Sequence, residues 1–353
     1  GLHFTNTRPF KDCLIHGLIR DKEGRKMSKS LGNGVDPMEV AEKYGTDSLR
    51  FFLASSSSPG MDLRYDEEKV ASTWNFINKL WNASRFVLMN IEGFKEEDKT
   101  FENLTLQDKW ILNRLNEVIL KVRNHMEKYE FNVVGTELYN FIWDDFCSWY
   151  IELSKFNNNN TTKTVLLTVL TDILKLLHPF MPFVTEEIYL MLPIHDESIM
   201  ISSYPKYKEE FKFETNDMNN IMEFIVKVRT YKQENNIPSD SKVNYNGEYK
   251  ELILNMLKVK NENLTDEISD NSISYNGYTI YYIFDNTKDL EEEKNNLLKE
   301  KERLQNSIER RKKLLSNENY VAKAPQNIVE KEKEDLLKEE NNLQNIINQL
   351  EKM

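Results

Sequence analysis

Gly24-Arg25-Lys26-Met27-Ser28-Lys29-Ser30-Leu31-Gly32-Asn33-Gly34-Val35-Asp36-Pro37 is the stretch from which the rest of the chain is read. Two lysines stand three residues apart, with Met27 and Ser28 between them and three glycines flanking, which makes a mobile cationic loop. Such a loop suits a triphosphate that must be gripped for one step and released afterwards. As the α-phosphate is attacked, negative charge grows on its oxygens and on the departing pyrophosphate. Lysines placed there stabilise that state more than the ground state. Asp36-Pro37 ends the loop as a helix N-cap followed by proline at the first helical position.

Outward from the loop, residues 13–19 form a short apolar run that reads as a buried strand. On the other side, Val40 and Tyr44 give the first helix its apolar face. Thr46 or Asp47 is expected to cap the next helix, which carries Leu49, Phe52 and Leu53. From Asp66 the pattern is helical for a long way. Val70, Trp74, Ile77, Leu80, Trp81, Ser84 and Val87 recur at three and four residues, the stripe of a core-facing helix. Further helices are predicted from about Thr105, from about Asn132 to Leu153, over 164–177 and over 186–192, joined by short polar loops as in an antiparallel bundle. Beyond an amphipathic helix over 217–235, β-rich runs at 242–245 and 278–284 flank a helical segment, which suggests a small α/β cap. Leu290, Leu297 and Leu304 stand seven apart, and so do Val329, Leu336, Leu343 and Leu350. Two heptad helices around a turn with Ala324-Pro325 describe an antiparallel coiled-coil hairpin.

Composition bounds what this can be. With 353 residues, 39% of them apolar, there is material for several cores. A net charge of −11 excludes a nucleic-acid binder held by bulk positive charge, so contacts with phosphate need local basic patches. Residues 1–65 carry +2 and residues 288–353 carry −1, which leaves −12 on the acidic middle. Two cysteines rule out a disulfide scaffold and a four-thiolate zinc site, and fit a reducing compartment. No apolar run approaches the ~20 residues of a membrane span, and no secretory segment opens the chain. The chain starts at Gly1 in mid-pattern, so it reads as a piece of a longer protein.

The loop resembles the signature loop of the class I aminoacyl-tRNA synthetases, in the subgroup that handles aliphatic amino acids. Four further stretches carry the resemblance: Tyr44-Gly45-Thr46-Asp47-Ser48-Leu49-Arg50, Asp62-Leu63-Arg64-Tyr65, the run from Phe76 to Phe86, and His178-Pro179-Phe180-Met181-Pro182-Phe183 with Glu186-Glu187-Ile188-Tyr189. With the C-terminal hairpin they are similar to the valyl-tRNA synthetase family. Isoleucyl relatives often end in a cysteine-ligated zinc module, which two cysteines cannot build. The family's other signature, a His-x-Gly-His segment, is absent, so this segment alone is expected not to activate an amino acid.

The resemblance implies a mainly α chain in four parts. Residues 1–65 would end a nucleotide-binding α/β catalytic domain, 66–205 form an anticodon-binding helical bundle, 206–287 a small α/β domain, and 288–353 a coiled-coil arm that binds tRNA. It implies ATP with Mg2+, valine and tRNA(Val) as partners, a cytoplasmic monomer, no membrane, and no metal held by this segment. Lys29 is expected on the ATP phosphates with Lys26 assisting, both catalytic, in an ATP-binding loop completed by Met27, Ser28 and Ser30. Asn78, Asn82 and Arg85 share one helical face with Lys79 beside it, a face suited to reading splayed bases. Arg310, Arg311, Lys312 and Lys313 are four consecutive cations near the hairpin tip, opposite Lys323, and are expected on tRNA phosphates. Trp74, Trp81, Trp143, Trp149 and Tyr150 are expected in the core, Cys147 as an inert thiol, and Asp144-Asp145 as solvated or capping.

Overall fold

Asp36 does what its place before proline predicts: its Oδ1 accepts the Met38 N–H at 2.8 Å and starts helix α1 (Pro37–Tyr44). The structure is a computed structural model and describes residues 1–284, 287–316 and 326–352. The chain is mainly helical. Its described residues gather into two compact units, the first comprising 1–230, 247–260 and 275–278 and the second 231–246, 261–274 and those from 279 onward. The four-part division drawn from the sequence is finer than this.

In the first unit, β1 (Ile19–Arg20) pairs in parallel with β2 (Leu63–Arg64). The expected buried strand over 13–19 is not there. Leu14, Ile15 and Leu18 are exposed, at 47%, 73% and 47%. A strand needs a second backbone to take up its amides, and among the described residues β2 does so only for the last positions of the run. Helix α2 (Thr46–Ser56) begins after Gly45, at φ +82, without a side-chain cap. Asp47, expected to cap this helix, is instead turned to another.

Five helical segments come next. Helix α3 (Glu67–Asn90) is capped by Asp66, and α4 (Leu106–Glu127) by the reciprocal Thr105–Asp108 pair. Helix α5 (Phe131–Asn140) runs on through a π-helical stretch, Phe141–Tyr150, and one more turn, Ile151–Ser154. Helices α6 (Asn160–Leu177) and α7 (Pro182–Leu190) complete the set. Leu80, Val87, Ile111, Val118, Leu138, Phe146, Val169 and Ile173 are all fully buried, each contributing about 1.5–3 kcal/mol of apolar burial. Asp108 lies at the centre of this core with 0% exposure, accepting from Tyr150 Oη at 2.6 Å and from Thr105 Oγ1 at 2.6 Å. The paired hydroxyls are what make a buried carboxylate tolerable.

Trp74 and Trp81, expected in this core, lie at its border. Trp74 is 41% exposed and Trp81 half-buried, while Phe76 is fully buried. At about 100° per residue, the buried arc of α3 is centred on Leu80 and Val87. Both tryptophans fall on its edge. Trp143 and Trp149 are also half-exposed, and only Tyr150 of that group is fully buried.

Helix α8 (Asn216–Glu234) buries Met218, Ile221, Phe224 and Ile225. A three-stranded sheet has the order β3 (Lys242–Asn246), β5 (Tyr278–Ile283), β4 (Ser272–Tyr275), with β3 antiparallel to β5 in the register Lys242↔Ile283. Helix α9 (Lys250–Met256) separates β3 from β4 in the chain. The sequence reading misses β4, although Asn276 and Gly277, both at positive φ, mark the tight turn between β4 and β5. Last come two long helices, α10 (Thr287–Leu315) and α11 (Gln326–Lys352). They run antiparallel, with Leu304, Ile308 and Val329 buried along the seam. The expected turn with Ala324-Pro325, Lys323, and the side chain of Leu290 lie outside the described residues. Among the described residues no helix is long and apolar enough to cross a membrane.

Candidate functional site

The cationic loop is built on two side chains to which the sequence reading gives no role, Asp21 and Asn33. Asp21 is 6% exposed and accepts from the Arg25 N–H and Nε, both at 2.7 Å. Asn33 donates to Asp21 Oδ2 at 2.8 Å and to Lys26 O at 3.2 Å, and accepts the Ser28 N–H at 2.9 Å. The Asn33 hydrogen bond is the chief reason the Asp21 carboxyl sits below its usual range; partial burial works against it, and Arg25 adds to the lowering. Gly24 at φ +83 and Gly32 at φ +60 make the two turns that bring these groups together. A short 3-10 turn, Lys29–Leu31, is capped by Ser28 Oγ.

With its backbone held in this way, the loop presents Lys26 and Lys29 to solvent. Both are exposed, and neither ammonium makes an ion pair or hydrogen bond among the described residues. Ser28 and Ser30 share a hydrogen bond at 3.1 Å beside them. Met27 is half-buried and lines a cavity of about 470 Å³ with Val35, Tyr44 and Tyr65, so it packs the loop.

On α3, Asn82 and Arg85 are exposed and Asn78 is half-buried on the same face. Lys79 is not with them. Its Nζ donates to Trp143 O at 3.0 Å and to Ser148 Oγ at 3.1 Å, and lies 3.8 Å from the Trp143 ring centre. Burial pulls its pKa down. The residue expected beside an RNA-reading face therefore braces the π-helical stretch. Sequence reasoning also misses a groove of about 450 Å³ lined by Trp74, Trp81, Phe183 and Asn78. The tryptophan spacing is visible in the sequence, but it reads there as core.

The four cations of α10 do not act as one patch. Arg311 is turned into the seam, where its guanidinium meets Glu332, Asp335 and Glu339. Lys312 pairs with Glu340 at 2.6 Å and Lys313 with Glu309 at 2.8 Å, both exposed and hence weakly held. Arg310 is exposed and makes no ion pair among the described residues. Elsewhere, Asp145 binds Arg114 at 3.0 Å, Asp144 is exposed, and burial pushes the Cys147 thiol up to about 12.

Known proteins share this combination of parts. Residues 1–66 match the family model for class I tRNA synthetases (I, L, M and V), residues 108–246 the anticodon-binding domain of tRNA ligase, and residues 289–353 the valyl tRNA synthetase tRNA binding arm. A valine–tRNA ligase of Listeria innocua is 46% identical over 93% of this chain and 40% of its own length. One from Bacillus subtilis is 45% identical with the same coverage, 93% and 40%. The chain spans about two fifths of the length of the curated relatives it matches. Among solved structures, a ternary complex of an Agrobacterium radiobacter LeuRS with tRNA and LeuAMS has a TM-score of 0.46 at 20% identity, covering 56% of this chain and 24% of that one.

Proposed function

The chain belongs to the valyl-tRNA synthetase family, as its C-terminal region, and from that premise we propose that it works in the ATP-dependent attachment of valine to tRNA(Val). The polypeptide that contains it would join valine to AMP, releasing pyrophosphate, and then pass the valyl group to the terminal adenosine of the tRNA. The observation that carries this reading is the loop of Lys26 and Lys29, two exposed ammonium groups on a backbone held by Asp21 and Asn33. Lys29 grips the ATP phosphates and Lys26 assists. Because both are unpaired among the described residues, their charge is available to the pyrophosphate as it departs. Mg2+ belongs with the nucleotide as part of the substrate.

In this reading residues 1–65 are the end of a nucleotide-binding α/β domain. The exposed apolar run over 13–19 and the two-stranded parallel pair support it, because parallel sheets are ordinarily covered on both faces. Residues 66–205 are the anticodon-binding bundle, where Asn78, Asn82 and Arg85 contact bases. Residues 206–287 are a small α/β domain. Residues 288–353 are a coiled-coil arm whose Arg310, Lys312 and Lys313 meet tRNA phosphates, with Arg311 locking the helix pair instead. The protein acts in the cytoplasm as a monomer. The test is valine-dependent exchange of pyrophosphate into ATP by the full-length protein, with isoleucine and leucine as controls. Exchange driven by isoleucine or leucine rather than valine, or no exchange at all, would contradict the proposal.

A further inference from the structure

Two stretches that lie far apart in the chain, 44–50 and 178–189, meet in the first unit. Helix α7 starts at Met181-Pro182 and has no side-chain cap of its own. Asp47 of α2 supplies one: its Oδ2 accepts the Val184 N–H at 2.7 Å and its Oδ1 the Phe183 N–H at 3.4 Å. One turn further along α2, Arg50 donates through Nε to Phe180 O at 3.3 Å and through Nη2 to Pro179 O at 3.2 Å. Helix α2 thus takes up two carbonyls of the turn between α6 and α7 together with the amides that open α7, the latter being groups that a helix start otherwise leaves unsatisfied. Phe51 adds an edge-to-face contact with Phe180, ring centres 6.2 Å apart.

Asp47 is 5% exposed, and burial raises its pKa against the pull of the two amides. It also occupies the first turn of its own uncapped helix, so one carboxylate serves the positive ends of two helices. The other side of the elbow between α1 and α2 is tied down as well. Lys43 Nζ and Tyr44 Oη both donate to Glu67 Oε1 in the first turn of α3, at 2.7 and 2.9 Å. Helix α1 itself begins at Asp36, directly after the cationic loop. A chain of hydrogen bonds therefore joins the loop-bearing segment to α3 and to the α6–α7 turn, and it runs through one elbow.

We infer that Asp47 and Arg50 are positioning residues, which fix the loop-bearing segment against the α6–α7 turn so that an RNA bound on the outer face of α3 can reach the adenylate formed beside the loop. The inference rests on the functions proposed for the loop and for α3. Neither residue is assigned a contact with nucleotide or RNA. Their effect belongs to the step in which RNA bound on α3 must meet the adenylate formed beside the loop. A misplacement of about 1 Å there costs on the order of 10²-fold in rate.

The test uses Asp47→Asn and Arg50→Ala in the full-length protein. Asp47→Asn keeps the shape but sets an amide NH2 against a backbone N–H, and Arg50→Ala trims an exposed side chain. In Asp47→Asn the Phe183 and Val184 amides should exchange with solvent about tenfold faster. In both variants valine-dependent ATP–pyrophosphate exchange should stay within about twofold of wild type, while kcat for tRNA charging falls roughly 10- to 100-fold with little change in KM for tRNA. Equal losses in exchange and charging would reduce the clasp to a structural staple and overturn the inference. Charging that persists at wild-type rate despite faster amide exchange would overturn it too. Unchanged protection of the two amides would refute the clasp itself, without bearing on the proposed valine–tRNA chemistry. Lack of pyrophosphate exchange in the wild type would instead remove that proposed function, and this inference with it.

Discussion

Asn33 is the residue on which the geometry of the loop turns, although it carries no charge. Its amide satisfies Ser28 N, Lys26 O and Asp21 Oδ2 together, so the two lysines extend from a backbone that is already in place. Asn33→Ala should raise KM for ATP and lower the exchange rate about tenfold, since a positioned donor is worth more than a mobile one. It should also move acid unfolding to higher pH. The folded pKa of Asp21 is depressed, so its contribution stands in full above the ordinary aspartate range and is lost as pH falls through the lower folded value. Removing Asn33 removes the largest cause of that depression, and a pH titration of the unfolding midpoint reads the shift. Asp47 has the opposite sign. Its raised pKa makes ionisation a cost that appears as pH rises through the folded value.

At the scale of elements, Lys79 and Arg311 are the instructive pair. Both are cations that the sequence assigns to RNA and the structure turns inward. Lys79→Ala removes two hydrogen bonds and a ring contact from the π-helical stretch. It should lower stability by about 1–2 kcal/mol in thermal unfolding while leaving the salt dependence of tRNA binding unchanged. Asn82→Ala with Arg85→Ala should weaken tRNA binding without moving the unfolding midpoint. What the sequence made legible was whatever its near neighbours determine. Asp36 caps the helix that comes after it, the heptad residues Leu304 and Val329 lie buried in the seam, and the long helices fall close to where their periodicity put them. What it hid depends on distant partners. The helix that Asp47 caps begins more than a hundred residues later, Lys79 meets a carbonyl of the π-helical stretch more than sixty residues on, and Arg311 finds its carboxylates on the other long helix. A helical wheel gives the angle of Trp74 and Trp81, but not which edge of the arc the neighbouring helices cover.

For the chain as a whole, charge bears on how the proposed RNA partner would be held. A chain of net −11 repels a polyanion on average, so in the proposed function affinity for tRNA would come from small exposed basic clusters. Arg310, Lys312 and Lys313 on α10 form one such cluster once Arg311 is set aside. Replacing the three with alanine should weaken tRNA binding and reduce the slope of log K against log salt by up to about 2–3, with exchange activity intact. Replacing Arg311 alone should destabilise the helix pair, since it leaves Glu332, Asp335 and Glu339 facing one another without their shared cation.

The loop offers the sharpest experiment, because there a single charge is assigned a single step. Lys29→Ala in the full-length protein, assayed by valine-dependent ATP–pyrophosphate exchange, should lose on the order of 10²–10³ in rate while tRNA binding stays at the wild-type level. Exchange at the wild-type rate in that variant would contradict the assignment of this loop to the ATP phosphates.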